Sequence, residues 1–141
     1  MKSKEEIRQE LGRRLLLGEM MARNARKGPN REALVYGDVR LNYTQFNGRI
    51  NRLAHGLMDL GVKKGDKVSI LAYTCNQFME TYFALAKIGG VAVPVNFRLH
   101  PSEMTYIINQ SDAKVLIAGE DFVATVKGIQ KDLTQVKSYV S

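Results

Sequence analysis

Four short runs rich in apolar and β-branched residues punctuate this chain, at 67–73, 91–95, 114–118 and 136–140. Stretches with apolar residues at helical spacing separate them. A strand that is apolar on both sides must be covered on both faces, and alternation with helices over short connections supplies that cover. The pattern predicts an α/β fold: a doubly wound parallel sheet with helices on both faces. Ahead of it, residues 4–24 read as a helix with Ile7, Leu11 and Leu15 along one side. Gly28-Pro29-Asn30 breaks that helix, and two short strands around Gly37-Asp38 predict a β-hairpin.

The strongest helical signal follows the hairpin. Phe46, Ile50, Leu53, Leu57 and Leu60 recur at spacings of four, three, four and three, which aligns them on one stripe. Their burial is worth about 8–15 kcal/mol gross, most of which chain entropy cancels. Thr44 is the expected N-cap, and Gly61 the left-handed residue after the last turn, with Val62 packing behind it. A second helix is expected from Asn76, capped by that side chain, with Phe78, Tyr82, Leu85 and Ala86 inward and Gly89-Gly90 at its end. Pro101 suits the first turn of a third helix, and residues 121–133 read as a fourth. The reading divides the chain into an N-terminal helical segment, 1–30, and an α/β part, 31–141.

Charge and cysteine content exclude several function classes. The net charge is +7, but residues 1–31 hold nine Lys/Arg against four Glu, so most of the excess is N-terminal. That basic stripe lacks interleaved aromatics and any nucleic-acid reading motif, and the solvated-helix reading is preferred. One cysteine, Cys75, forms no internal disulfide, and with two histidines it suggests no zinc site. No apolar run approaches the ~20 residues of a membrane span. The charged start has no signal-peptide pattern, so a cytoplasmic location is expected.

A doubly wound sheet binds ligands beyond the carboxyl ends of its strands. The candidate loops are therefore Tyr73-Thr74-Cys75-Asn76, Asn96-Phe97-Arg98 and Gly119-Glu120-Asp121. Tyr73, Asn76, Asn96 and Arg98 are the substrate-side candidates. Each has a plainer alternative: a helix cap for Asn76, a structural turn for Asn96 and Arg98. Cys75 has no neighbouring histidine and reads as an incidental thiol, His55 as a surface residue, and His100 as a helix-start residue before Pro101. No glycine-rich phosphate loop is present, because Gly89-Gly90 ends a helix where phosphates need a helix beginning.

Leu41-Asn42-Tyr43-Thr44-Gln45-Phe46, the run from Gly61 to Val68, and the run from Leu85 to Asn96 occur in the order seen in one enzyme superfamily. Arg98-Leu99, Glu103 and the run from Ser111 to Ile117 continue the match. Over residues 31–118 the chain resembles the N-terminus of the adenylate-forming superfamily: acyl-CoA synthetases, firefly luciferase and nonribosomal peptide adenylation domains. Asn42, Gln45, Phe46, Gly90 and His100 depart from the commoner residues, and none of these positions carries chemistry. The resemblance implies an acetyl-CoA synthetase-like N-terminal subdomain and an AMP-binding ligase of fatty-acid metabolism. That enzyme activates a fatty or aryl acid with ATP and Mg²⁺ to an acyl-adenylate, then passes the acyl group to CoA. It also implies that the phosphate loop, the adenylate-binding acids, the hinge and the catalytic lysine lie beyond residue 141. These 141 residues then contain no catalytic residue, no metal ligand and no bound cofactor of their own, and their partner is the rest of the polypeptide. The alternative is a stand-alone flavodoxin-like binding module. A homodimer through surface left uncovered is a further expectation.

Overall fold

The computed structural model describes residues 3–6 and 16–141. The expected helix at 4–24 falls partly outside them, including Ile7, Leu11 and Leu15; its described part is α1 (Leu17–Lys27). There follow β1 (Glu32–Tyr36), β2 (Val39–Asn42), α2 (Tyr43–Asp59), β3 (Lys67–Leu71), α3 (Asn76–Ile88), β4 (Val91–Pro94), α4 (Pro101–Gln110), β5 (Val115–Ala118), α5 (Val123–Ile129) and β6 (Ser138–Val140).

Strands β3 to β6 form one sheet in the order β4-β3-β5-β6, every neighbouring pair parallel. The β1–β2 hairpin is antiparallel and stands apart. From β3 the chain first moves outward to β4, then crosses back over β3 to β5. With right-handed crossovers, that reversal puts α3 on one face and α4 and α5 on the other. The core divides accordingly. On one face Phe46, Ile50, Ala54 and Leu57 of α2 meet Phe83, Ala84 and Leu85 of α3, Val68 and Val115, with Met21 of α1 in the same cluster. On the other, Met104 and Ile108 of α4 and Val126 and Ile129 of α5 pack on Leu71 and Leu116. The expected sheet, its strand direction and the separate hairpin are all present.

Local signals explain most element boundaries. After α2, Gly61 adopts φ +85°. Gly61 N–H donates to Met58 O (2.8 Å) and Val62 N–H to Leu57 O (3.0 Å), which is a Schellman closure with its apolar contact between Leu57 and Val62. Before α4, His100 caps the helix: its Nδ1 accepts from Ser102 N–H (3.4 Å), while Glu103 Oε2 accepts from His100 N–H (2.8 Å).

Several local expectations are corrected. Asn42, not Thr44, caps α2: its Oδ1 accepts from Gln45 N–H (2.8 Å), and Gln45 Oε1 accepts from Asn42 N–H (3.0 Å). Thr44 Oγ1 donates instead to Pro29 O (3.2 Å). A cap must sit outside the helix, and α2 begins at Tyr43, two residues earlier than a Thr44 cap would allow. Leu60 is 45% exposed because it ends α2, and Ala54 takes its place in the buried set. In α3, Phe83 and Ala84 are buried while Phe78 and Tyr82 are only half-buried and lie against each other (5.2 Å between rings). Of the residues expected inward Leu85 is buried, while the aromatic pair turned the rest of the predicted face away from Glu80, Thr81, Phe83 and Ala84, which are buried. Residues 120–132 form α5 between two short 3₁₀ turns rather than one helix.

Candidate functional site

Three loops leave the carboxyl ends of β3, β4 and β5 side by side. Val95 N–H donates to Ile70 O (2.8 Å) and Gly119 N–H to Leu71 O (2.9 Å), so the ladder holds them in register to its last residues. Gly119 lets the β5 loop lie against the β3 loop: a Cβ there would stand 3.3 Å from Ala72 Cβ. The switch in sheet order falls between β3 and β5, where a crevice for ligands opens in this class of sheet.

Each loop delivers one aromatic ring to that edge. Tyr73 lies edge-on to Phe97 with ring centres 4.8 Å apart and against Phe122 at 4.9 Å; Phe97 and Phe122 are 6.0 Å apart. Phe122 is buried, Phe97 half-buried and Tyr73 47% exposed, so the cluster grades from core to surface. Arg98 carries its guanidinium 5.5 Å from the centre of the Phe97 ring. Asn96 Oδ1 accepts from Arg98 N–H (3.0 Å) and fixes the turn from which both side chains project. The result is an apolar platform bordered by one phenol, one amide and one exposed guanidinium.

The structure thus brings Tyr73, Asn96 and Arg98 to one edge. Asn76 is bonded elsewhere, toward α2. It is the first residue of α3 and 4% exposed, and its Nδ2 donates to Glu80 Oε1 (3.1 Å). Arg49 Nε of α2 donates to the same oxygen (2.7 Å). Asn76 therefore neither caps α3 nor faces the crevice; Cys75 occupies the cap position without a side-chain bond. Phe97 and Phe122 are absent from the residues singled out by sequence. The available signal was an aromatic residue within four positions of three successive strand ends.

The donor set at this edge does not fit a nucleotide–metal complex. Among the described residues no three of His, Cys, Asp and Glu stand together as metal ligands, and no glycine-rich turn opens a helix toward the crevice. An aromatic platform with a guanidinium can hold an apolar body with an anionic end.

The fold is an open α/β sheet covered by helices on both faces, with three loops meeting beyond the carboxyl ends of its strands. The family model of AMP-binding enzymes matches residues 21–141, and the chain belongs to that family. It is 36% identical over 104 residues to 4-hydroxybutyrate–CoA ligase 2 of Metallosphaera sedula, covering 74% of this chain and 19% of that protein. It is 37% identical over 113 residues to feruloyl-CoA synthase of an Amycolatopsis species, covering 80% of this chain and 23% of that one. Among solved structures, a fatty acyl CoA synthetase of Mycobacterium tuberculosis superposes with a TM-score of 0.84 at 33% identity, over 88% of this chain and 26% of that one. The chain therefore spans about a fifth of the length of the curated relatives it matches.

Proposed function

We propose that this chain supplies the N-terminal wall of an ATP-dependent acid–CoA ligase, with residues 31–141 as its α/β part and 1–30 as a leading helical segment. The observation that carries the reading is the family match over residues 21–141, with relatives that are CoA ligases of different acids. In the whole ligase a carboxylate attacks the α-phosphorus of ATP, pyrophosphate leaves, and the CoA thiol then displaces AMP from the acyl-adenylate. Mg²⁺ accompanies the ATP. Groups outside these 141 residues carry those steps.

This chain's own residues bind and orient. The Tyr73, Phe97 and Phe122 rings exclude water and take an apolar or aromatic body. The Arg98 guanidinium takes an anionic end, whether an acid carboxylate or a CoA phosphate, since its planar fork pairs with either. Asn96 positions Arg98 through the turn. The relatives act on 4-hydroxybutyrate and ferulate by name, so the reading extends to fatty and aryl acids as a class. No helix among the described residues is long and apolar enough to cross a membrane, and a cytoplasmic ligase is the simplest setting. The outer edge of β6, with Tyr139 37% exposed, is where further strands or a second copy add to the sheet.

Two measurements test this. Mixed with ATP, Mg²⁺ and a panel of acids, the chain alone is expected to release no pyrophosphate; release would refute its role as a wall. Titrated separately with benzoate and with CoA, its Tyr73 and Phe97 ring signals should shift with at least one of them. Arg98→Ala should weaken that binding about tenfold, as the loss of a charged hydrogen bond does. Which ligand responds distinguishes the acid carboxylate from the CoA phosphates, and indifference to both would remove the crevice from the site.

A further inference from the structure

The opposite end of the sheet carries a second hollow that the ligase reading does not use. Its lining comes from residues just before the amino ends of β3 and β4, together with one face of α2. It has a volume of about 650 Å³. Lys63, Lys64, Lys87 and His55 line it together with the apolar side chains of Met58 and Val62, and among the described residues no carboxylate contributes. The parallel strands run away from this end, so the hollow and the aromatic edge lie at opposite ends of the same sheet.

Three observations make the hollow more than a solvated basic face. First, Lys87 has one described side-chain partner, Asn47 Oδ1 at 2.9 Å, which is neutral. An ammonium has three donors, so this bond leaves two of them for another acceptor. Partial burial, and then the Arg26 guanidinium, push the Lys87 ammonium below the usual lysine range. Second, Lys64 is led to the hollow by the backbone: its stem crosses Gly89, where a Cβ would stand 2.9 Å from Lys64 Cγ. Gly89 itself is at φ +73°, so any side chain there would be both strained and obstructive. Third, the carboxylate in the same loop is already engaged. Asp66 Oδ1 accepts from Lys114 Nζ (2.7 Å) and Oδ2 from Lys63 N–H (2.9 Å). The other nearby acid along α2, Asp59, is exposed and lies outside the lining. A half-buried ammonium whose one described side-chain partner is a neutral amide is completed by an anion with several acceptor oxygens.

We propose that this hollow binds a small organic phosphate, its phosphate held by Lys87, Lys63 and Lys64 and its apolar body resting on Met58 and Ile88. The ligand is distinct from the substrates assigned to the aromatic edge, and the site stands whether or not the ligase reading does. Lys87 is the inner contact and Lys63 and Lys64 the outer ones, with Asn47 Oδ1 accepting one of the Lys87 ammonium hydrogens.

The test is a titration of the chain with phenyl phosphate and with inorganic phosphate, followed through the backbone amide signals of His55, Lys64 and Lys87. Saturable shifts confined to these residues are expected, with phenyl phosphate binding several-fold more tightly than inorganic phosphate. Lys87→Gln should weaken phenyl phosphate binding about tenfold, and Lys87→Arg should restore much of it. Lys64→Gln gives a second reading on a side chain that is exposed and leaves the fold intact. Shifts that fail to saturate, or affinity unchanged by both Lys87→Gln and Lys64→Gln, would overturn the site. Equal affinity for the two phosphates would overturn the role given to the apolar side chains.

Discussion

Replacing Arg49 by methionine should destabilise the chain by about 2–4 kcal/mol, although Arg49 is itself partly exposed. The reason lies in its partner. Glu80 projects from α3 into the seam with α2 and its side chain is 6% exposed, whereas that of Arg49 is 38% exposed. Breaking a fully buried pair by removing one member costs about 3–5 kcal/mol, because the other charge stays behind unpaired. Here Arg49 faces solvent on one side, which lowers the figure, and Asn76 Nδ2 still donates to Glu80 Oε1 at 3.1 Å, which lowers it further. The same reasoning makes the double variant informative. Arg49→Met with Glu80→Gln removes the charge that was left uncompensated, so it should recover about 1–3 kcal/mol of the loss despite adding a second substitution. Urea unfolding at pH 7, followed by circular dichroism, measures all three proteins. A cost below about 0.5 kcal/mol for Arg49→Met would refute the reasoning. So would a double variant no more stable than the single.

Two further outcomes follow from single side chains. Ser69 is fully buried in the middle of β3 and its hydroxyl has no hydrogen-bond partner among the described residues; Ser69→Ala should therefore leave stability unchanged or raise it by up to about 1 kcal/mol in the same unfolding assay. The bond from Lys114, and then that from Lys63 N–H, hold the Asp66 carboxyl below its ordinary value of 3.8. Its folded-state value is thus depressed, so its stabilisation is present above that value and is lost as pH falls through the lower folded one. The stability difference between the parent and Asp66→Asn should be constant at neutral pH and shrink below about pH 4. A difference that grows on acidification would contradict this.

Sequence periodicity reached the sheet because parallel strands buried on both faces must be apolar along their whole length, and Val68, Ile70 and Leu71, or Val115 and Leu116, cannot be read otherwise. Helix phase was less visible. In α3 the buried residues include Glu80, Thr81 and Asn76, so polarity pointed away from the face that packs. A salt bridge to Arg49, thirty-one positions earlier, makes that burial tolerable, and no local pattern announces so distant a partner. The cap of α2 shows the same limit in smaller form: Asn42 caps through Gln45, a pair evident only once the turn is built, whereas His100, read from sequence as a helix-start residue, does cap α4. At the candidate site, position after a strand end found Tyr73, Asn96 and Arg98. It also selected Asn76, whose residue type suits either a ligand contact or an interior bond. Phe97 and Phe122 were overlooked because an aromatic near a strand end more often packs than binds, and Phe122 packs into the core while also meeting Tyr73.

The claim that this chain forms the N-terminal wall of an acid–CoA ligase is tested most directly by exchange. The matching N-terminal segment of the Mycobacterium tuberculosis fatty acyl CoA synthetase, which this chain superposes on with a TM-score of 0.84, is replaced by residues 21–141, and CoA thiol consumption is followed with ATP, Mg²⁺ and a fatty acid. A folded chimera should form acyl-CoA, and Arg98→Ala within it should reduce turnover or raise the KM for an anionic substrate. A chimera that folds and retains ATP binding yet forms neither acyl-adenylate nor acyl-CoA would contradict the assignment.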